Sequence, residues 1–422
     1  MPTAPHSVNT QKPWTPTVIS TPDSDTPIQL SRRSDQQRSN AIRDLLQLVE
    51  DPSILSFAGG LPDANLFPQD QIAALSQDVL ATEANAVLQY GMTAGRQDLR
   101  ERIAKLMQDR MGVECSAENI LITTGSQQAI DLATRCLHNP GDRIAVENPT
   151  YLGALQTFRA ADAEMVTFED AAVTPLSGQS RLALGYLIPD FCNPTGRTLT
   201  RAQRQSHLDA ASQGGYVLIE DSAYAELRYS GSQIPSLLAM DTTARGTIEE
   251  TRVIQCGTFS KTLIPGFRVG WACGPSHLIA KMIRMKECAD ILTPPLMQSV
   301  TLRLLDTLYD DHINVLRTAY GTRRDAMMKA LTKYMPEGVT WTKPNGGMFT
   351  WVTLPDKMDA DLLLKEAIEK AKIAYVPGCH FTVDQSMRNT LRMSFCLYEP
   401  ETLDQGMSRF GAFLAKEMSL AQ

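Results

Sequence analysis

LGYLIPDFCNPTGRTLTRAQRQSHLDAASQGGYVLIED, residues 184–221, carries the pattern that decides the fold. Two short apolar runs, LGYLIPD (184–190) and YVLIED (216–221), bracket a polar stretch of helical pattern. Runs this short and this rich in Leu, Ile and Val suit strands covered on both faces, and a strand, helix, strand unit joins strands that run parallel. The unit repeats outward. Upstream lie NILITTG (119–125), RIAVEN (143–148) and AEMVTFE (163–169), and downstream lies VIQCGTFS (253–260). The expectation is an α/β fold with a mostly parallel central sheet and helices on both faces.

Residues 276–331 read as long helices interrupted at Thr293-Pro294-Pro295. Beyond them VTWTKPNGGMFTWVTLP (339–355), a helix over 361–373, TLRMSFC (390–396) and a C-terminal helix with Leu403, Met407, Phe410 and Leu414 on one face predict a smaller α+β unit. Ahead of the sheet, Ile42, Leu45, Leu46 and Val49 recur at helical spacing until Asp51-Pro52 stops the run, and SFAGGLPDANLFP (56–68) reads as a tight irregular loop. Half of the first thirty residues are Thr, Pro or Ser, which predicts a flexible arm.

With 422 residues, 43% hydrophobic and 21% charged, the chain can bury a large core, which excludes disorder as its main state. Forty Lys and Arg against forty-seven Asp and Glu leave a net charge of -7, which argues against nucleic acid held along the whole surface and for small-molecule partners. No apolar run approaches the roughly 18–20 residues of a membrane span, and the N-terminus lacks the basic and apolar regions of a secretory signal, so a cytoplasmic protein without a membrane partner is expected. The eight cysteines form no Cys-x-x-Cys pair and no His stands in ligand spacing to them, so they read as reduced, mostly buried thiols, and no metal is expected.

Ligands of parallel α/β sheets sit beyond the carboxyl ends of the strands. Gly125-Ser126-Gln127-Gln128 follows the first strand and opens a helix, so free N–H groups, a hydroxyl and a helix dipole meet at one point. That suits a phosphate, and it equally suits a plain N-cap. FCNPTG (191–196) alone is an ordinary turn. Asp221, after Glu220 and before Ser222-Ala223-Tyr224, is either a helix cap or an acid used in chemistry. Lys261 alone reads as a surface charge, followed by Pro265-Gly266-Phe267-Arg268. Their joint occurrence, in order, on successive strand ends changes these readings.

GTFSKTLIPGFRVGW (257–271), FCNPTG, EDSAYAEL (220–227), GSQQAID (125–131) and LRMSF (391–395) together resemble the fold-type-I, class I/II aminotransferases that use pyridoxal 5'-phosphate. SFAGGLPDANLFP and LQYGMTAG (88–95) are most similar to the subgroup of kynurenine/2-aminoadipate aminotransferases. The resemblance runs from about residue 39 to the C-terminus. It implies that Lys261 holds the cofactor covalently and then moves a proton between substrate and cofactor, tasks for a lysine whose pKa burial and a nearby cation lower. Asp221 would face the pyridine nitrogen, and Tyr224 and Asn193 the ring's phenolic oxygen. Lys261, Asp221 and Tyr224 are thus the expected catalytic residues. Tyr151 would stack on the ring, or else belong to the core. Gly125, Ser126, Gln127, Ser260 and Arg268 would hold the phosphate, with Thr258 where relatives often carry Ser. Tyr90 would reach the phosphate of a second subunit, or else anchor its own loop. For the substrate, Arg392 would grip the α-carboxylate, with Asn193 as a second contact and the Gly60 backbone close by. Arg43 would read a distal acidic side chain, or else face solvent.

The domains this implies are an arm over 1–38, a small α+β domain of 39–65 with 311–422, and a large cofactor domain over 66–310. The activity implied is that of a homodimeric aminotransferase moving the amino group of an L-amino acid, aromatic, long aliphatic or 2-aminoadipate-like, to a 2-oxo acid such as 2-oxoglutarate by a ping-pong route. Leu61, Phe67, Ile291, Leu292, Met348 and Phe349 suggest an apolar side-chain pocket. Pyridoxal-phosphate lyases and decarboxylases share these residue types. A ligand-sensing regulator carries an aminotransferase-like domain behind a winged helix-turn-helix, for which the segment before residue 39 is too short and too poor in apolar residues.

Overall fold

The computed structural model of the chain describes residues 28, 30–35, 51–173 and 181–420. The first-quoted stretch folds as read. Strand β5 (Leu182–Leu187) leads through the Arg201–Gly214 helix into β6 (Val217–Asp221), and the two strands pair in parallel. Local chemistry sets the limits of that helix. Thr200 Oγ1 accepts from the Gln203 N–H at 3.2 Å while Gln203 Oε1 accepts from the Thr200 N–H at 2.9 Å, and Gly215 ends it at φ 71°.

Five more strands complete the sheet: β2 (Ile120–Thr123), β3 (Arg143–Val146), β4 (Glu164–Thr167), β7 (Val253–Thr258) and β8 (Gly270–Cys273). The spatial order is β2-β8-β7-β6-β5-β3-β4. All neighbouring pairs from β7 to β4 are parallel, and β8 alone runs antiparallel to both of its neighbours. The return from β7 to β8 carries Lys261 and Arg268, so one short connection delivers two cations to the carboxyl edge of the sheet. A Cβ on Gly270 would lie 2.7 Å from the Gly125 carbonyl carbon, so only glycine lets β8 start so near that turn.

The smaller unit is a four-stranded antiparallel sheet, β12-β13-β10-β9, of β9 (Thr340–Trp341), β10 (Phe349–Thr353), β12 (Val376–Pro377) and β13 (Thr390–Ser394). Beside it β1 (Leu55–Ser56) pairs in parallel with β11 (Ile373–Ala374). The Pro400–Leu420 helix buries Leu403, Met407, Phe410 and Leu414, the face the periodicity predicts. One hydrophobic core joins the two sheets: Leu184, Ile219 and Ile254 belong to the same cluster as Val352, Leu391 and Leu403.

Three expectations are corrected. The run over 163–169 was expected to be covered on both faces; it yields a four-residue strand at the sheet edge, with Glu164 exposed, and Phe168 starts a short helix. The helix expected over 361–373 is Ala360–Glu366 with one π-turn, Ala367–Ala371, because Ile373 is taken by pairing with Leu55. The long helical region breaks at Leu308 as well as at the prolines, giving helices Ser276–Glu287, Pro295–Thr307 and Tyr309–Tyr334. Arg43 and the helical run of Ile42, Leu45, Leu46 and Val49 lie outside the described residues, as does the arm over 1–38 apart from residues 28 and 30–35. No helix among the described residues is long and apolar enough to cross a membrane.

Candidate active site

Strand β6 ends in two carboxylates that the pleat sends to opposite faces. Glu220 accepts from the N–H groups of Leu237 and Leu238 at 2.9 and 3.0 Å, so it is the helix cap of the pair. Asp221 turns to the other face, where Tyr186 Oη donates to its Oδ2 at 2.8 Å and the Ala223 N–H reaches its Oδ1 at 3.3 Å. Tyr186 pairs with Ile219 across β5 and β6, so it shares a face with Asp221, two residues further on. Burial outweighs these donors and pushes the Asp221 carboxyl up to about 6.

Opposite it, Lys261 Nζ donates to the Gly60 carbonyl at 2.9 Å. Burial, then the Arg392 and Arg268 charges, push this amine down to about 8 against the pull of Asp221. A Cβ on Gly60 would lie 2.7 Å from Phe349 Cζ, so a larger residue there would force that ring to move. Arg268, in the left-handed region at φ 56°, donates to Ser260 Oγ at 3.1 Å and to the Thr124 carbonyl at 3.2 Å. Thr258 Oγ1 in turn donates to Ser260 Oγ at 2.9 Å, so threonine does the work of a hydroxyl here. Gly125 has φ 80°, and a Cβ on it would meet Arg268 Nη2 at 2.3 Å. It gives the Ser126–Leu137 helix no side-chain cap. A helix start without a side-chain cap and a guanidinium packed against its Gly125 together offer the chemistry of a phosphate seat.

Arg392, on β13, is buried. It donates to Asn193 Oδ1 at 2.8 Å and to the Ala58 carbonyl at 2.5 Å, and lies 4.2 Å above the Phe349 ring and 4.9 Å from the Phe381 ring. Its Nε is buried and has no hydrogen-bond partner among the described residues, so the fork is only partly used. Asn193 also hydrogen-bonds Tyr224, whose phenol burial pushes well up.

These side chains line one cavity of about 230 Å³. It brings together Gly60, Ser126, Gln127, Tyr151, Asn193, Asp221, Tyr224, Thr258, Ser260, Lys261, Arg268 and Arg392. Gly125 stands directly behind, against Arg268. Gln127 turns partly away, its Nε2 donating to the Gly153 carbonyl at 2.9 Å and to Thr157 Oγ1 at 2.6 Å. Tyr90 is not in the cavity: it is 79% exposed. Of the expected apolar pocket, Leu61 and Phe349 line the cavity, whereas Met348 is in the core and Ile291 is half exposed. A larger cavity of about 490 Å³ lies elsewhere, and its arginines are already paired, Arg228 with Asp190 and Arg110 and Arg317 with Glu226.

The sequence reading missed Tyr186, the Ala58 carbonyl and Glu147. The last accepts from the Ile188 N–H at 2.8 Å and so ties the Tyr151 loop to the Asn193 turn. A hydroxyl inside the apolar run LGYLIPD was the available signal for Tyr186; a backbone carbonyl leaves none. It also missed that Cys379, His380 and Asp361 meet, with potential ligand atoms within 4.8 Å of one another. Arg388, 3.5 Å from Asp361, already supplies that group with a cation.

A buried carboxylate, a lysine of lowered pKa, an uncapped helix start beside a guanidinium and a partly used arginine fork are the donor set that pyridoxal phosphate and an amino acid require. The sequence profile of the family "Aminotransferase class I and II" matches residues 58–410. The chain belongs to the class I and II aminotransferases. This aminotransferase is 40% identical over 394 residues to aromatic-amino-acid aminotransferase 1 of Thermococcus litoralis, covering 90% of this chain and 93% of the relative. It is similar to the crystal structure of Pyrococcus horikoshii kynurenine aminotransferase in complex with PMP and KYN, at 39% identity and a TM-score of 0.85 over 92% of this chain and 97% of that one. It is similar also to α-aminoadipate aminotransferase from Thermus thermophilus, complexed with N-(5'-phosphopyridoxyl)-L-leucine, at 34% identity and a TM-score of 0.84 over 93% and 98%.

Proposed function

We propose that this aminotransferase binds pyridoxal phosphate and moves the amino group of an L-amino acid, aromatic, long aliphatic or 2-aminoadipate-like, to a 2-oxo acid such as 2-oxoglutarate by a ping-pong route, as a homodimer in the cytoplasm. The convergence of Lys261, Asp221 and Arg392 on one cavity carries this reading. The separation of the seven-stranded sheet from the four-stranded and two-stranded sheets supports a large cofactor domain over 66–310 inserted between the 39–65 and 311–422 parts of a smaller one. Pyridoxal phosphate, when bound, supplies the electron sink that side chains lack.

The chain's own residues supply the rest. Ser126, Ser260 and Arg268 would hold the phosphate, and Asp221 would keep the ring nitrogen protonated through a charge-assisted bond worth about 1.5–3 kcal/mol. Asn193 and Tyr224 would hold the phenolic oxygen, with Tyr151 against the ring face. Lys261, with a pKa near 8, exists in part as a free amine at neutral pH and would take the proton from the substrate's α-carbon and hand it on to the cofactor side, the net shift that transamination needs. The free donors of Arg392 would grip the α-carboxylate in two-pronged fashion and fix the α-carbon near Lys261. Leu61, 53% exposed, and Phe349 offer an apolar wall to the substrate side chain, which favours aromatic and long aliphatic substrates.

A half-reaction tests this. Each member of an amino-acid panel, including 2-aminoadipate, kynurenine, aromatic and branched-chain members, is added without a 2-oxo acid. The expected result is stoichiometric 2-oxo acid and pyridoxamine phosphate from the preferred members, and none from the Lys261→Ala variant. Release of carbon dioxide or ammonia instead would replace the transaminase by a decarboxylase or lyase.

A further inference from the structure

Behind the Thr124–Ser126 turn lies a polar knot, built around one buried lysine, to which the proposed chemistry assigns no role. Lys286, in the last turn of the Ser276–Glu287 helix, is fully buried. Its Nζ donates to Asp290 Oδ1 and Oδ2 at 2.7 and 2.9 Å and to Gln128 Oε1 at 2.7 Å. Gln128 Nε2 donates to Asp290 Oδ2 at 2.7 Å, closing a ring of three side chains. Two further bonds fasten the ring to the turn: Thr124 Oγ1 donates to Asp290 Oδ2 at 3.0 Å, and the Thr124 N–H donates to Gln128 Oε1 at 2.8 Å. The Thr124 carbonyl then accepts from Arg268. The knot thus holds the turn at Thr124 on one side and at Gln128 on the other, with Gly125 and Ser126 between them.

Burying an ammonium costs several kcal/mol even when it is paired, and an apolar residue of similar size serves stability as well or better. A closed ring of hydrogen bonds around a buried charge is rigid, and it borders a turn whose Gly125 has no side chain to hold it. The chain leaves the knot through Ile291 at φ 67°, a strained conformation for a β-branched residue that the surroundings must hold in place. It then meets Thr293, whose Oγ1 is 3.2 Å from Thr124 Oγ1. The Thr293 carbonyl accepts from Gln298 Nε2 at 2.6 Å, and Gln298 Oε1 accepts from the Arg96 N–H at 2.8 Å. The brace therefore extends to the loop that carries Tyr90.

We propose that Lys286, Asp290 and Gln128 are positioning residues for the cofactor's phosphate: they hold the Thr124–Ser126 turn in its binding shape before the phosphate arrives. This rests on the reading of the chain as a pyridoxal-phosphate enzyme. Preorganisation of this kind raises affinity by lowering the ordering cost of binding. It acts on the phosphate and not on the ring, and that separates it from a general role in stability.

The test compares pyridoxal phosphate, pyridoxal and inorganic phosphate binding to full-length apoenzyme, wild type against Lys286→Met and Asp290→Asn. The variants are expected to bind pyridoxal phosphate and inorganic phosphate about tenfold or more weakly, and pyridoxal within about twofold of wild type. At saturating cofactor their kcat should stay within about threefold. An unchanged ratio of pyridoxal phosphate to pyridoxal affinity in Asp290→Asn, whose carboxylate is partly exposed and whose shape is conserved, would overturn the proposal even if Lys286→Met failed to fold. A lowered Tm with that ratio intact would likewise leave the knot with a structural role only. If wild type itself binds pyridoxal phosphate no better than pyridoxal, the cofactor reading fails, and this proposal with it.

Discussion

Burial first, and then the two guanidinium groups and single carboxylate that share its cavity, set when the Lys261 amine is free. Attack on the cofactor's aldehyde needs the neutral amine, so the rate at which apoenzyme takes up pyridoxal phosphate should rise with pH to a midpoint near 8. Arg392 is the larger of the two cationic influences. Arg392→Leu removes a repulsion that disfavours the ammonium, so the midpoint should move upward, by roughly half a unit or more. Uptake rates between pH 6 and 10 for both proteins decide it; a midpoint that stays put would mean that burial alone governs Lys261. The residues of this balance were legible in the sequence because each stands in a distinctive local motif. Their mutual charges were not, since Arg392 is 131 residues from Lys261 along the chain.

At the level of elements, β6 serves two masters through adjacent carboxylates. Glu220 caps the Leu237–Arg245 helix on the face away from the cavity, and burial pushes it up to about 7 from 4.5. Between those pH values the folded chain keeps a proton that the unfolded chain has released. Stability from this group is therefore greatest below about 4.5, falls as pH rises, and reaches its floor above about 7. Glu220→Gln cannot titrate. Its stability relative to wild type should improve by on the order of 2–3 kcal/mol between pH 4.5 and 8, read from denaturant melts at several pH values. A constant gap would show that Glu220 ionises as it would in water. Strand ends of this kind can be seen in a sequence, but the face to which each carboxylate turns cannot, because it depends on the neighbours the strand acquires in the sheet.

For the molecule as a whole, the loop after the Gln69–Val87 helix exposes Leu88, Tyr90 and Met92 at 71, 79 and 76%. Three large apolar groups in a row on a free surface are costly, and a second copy is the occupant that the proposed homodimer supplies. The Tyr90 phenol makes no hydrogen bond among the described residues, which disfavours the anchor for its own loop. Met92→Asp should therefore shift the protein toward monomer and weaken cofactor retention with it, whereas Tyr90→Phe should weaken retention about tenfold while leaving the dimer intact. Sedimentation velocity with cofactor absorbance measures both at once; a monomeric wild type that keeps its cofactor would remove Tyr90 from the site. What the sequence determined by itself was local: the alternation of short apolar runs with helices, hence the parallel sheet, and the chemically loaded strand ends, hence the family. Turn residues, caps and period-matched apolar faces act within a few residues, and a linear string displays them in full. Only the tertiary structure decided that Tyr186 donates to Asp221, that β8 runs antiparallel beside the Thr124–Ser126 turn, that Arg392 reaches Asn193 from 199 residues away, and that Lys286 is tied to Thr124 through Gln128 and Asp290. Those outcomes rest on strand register and burial, which arise only when distant segments compete for the same neighbours.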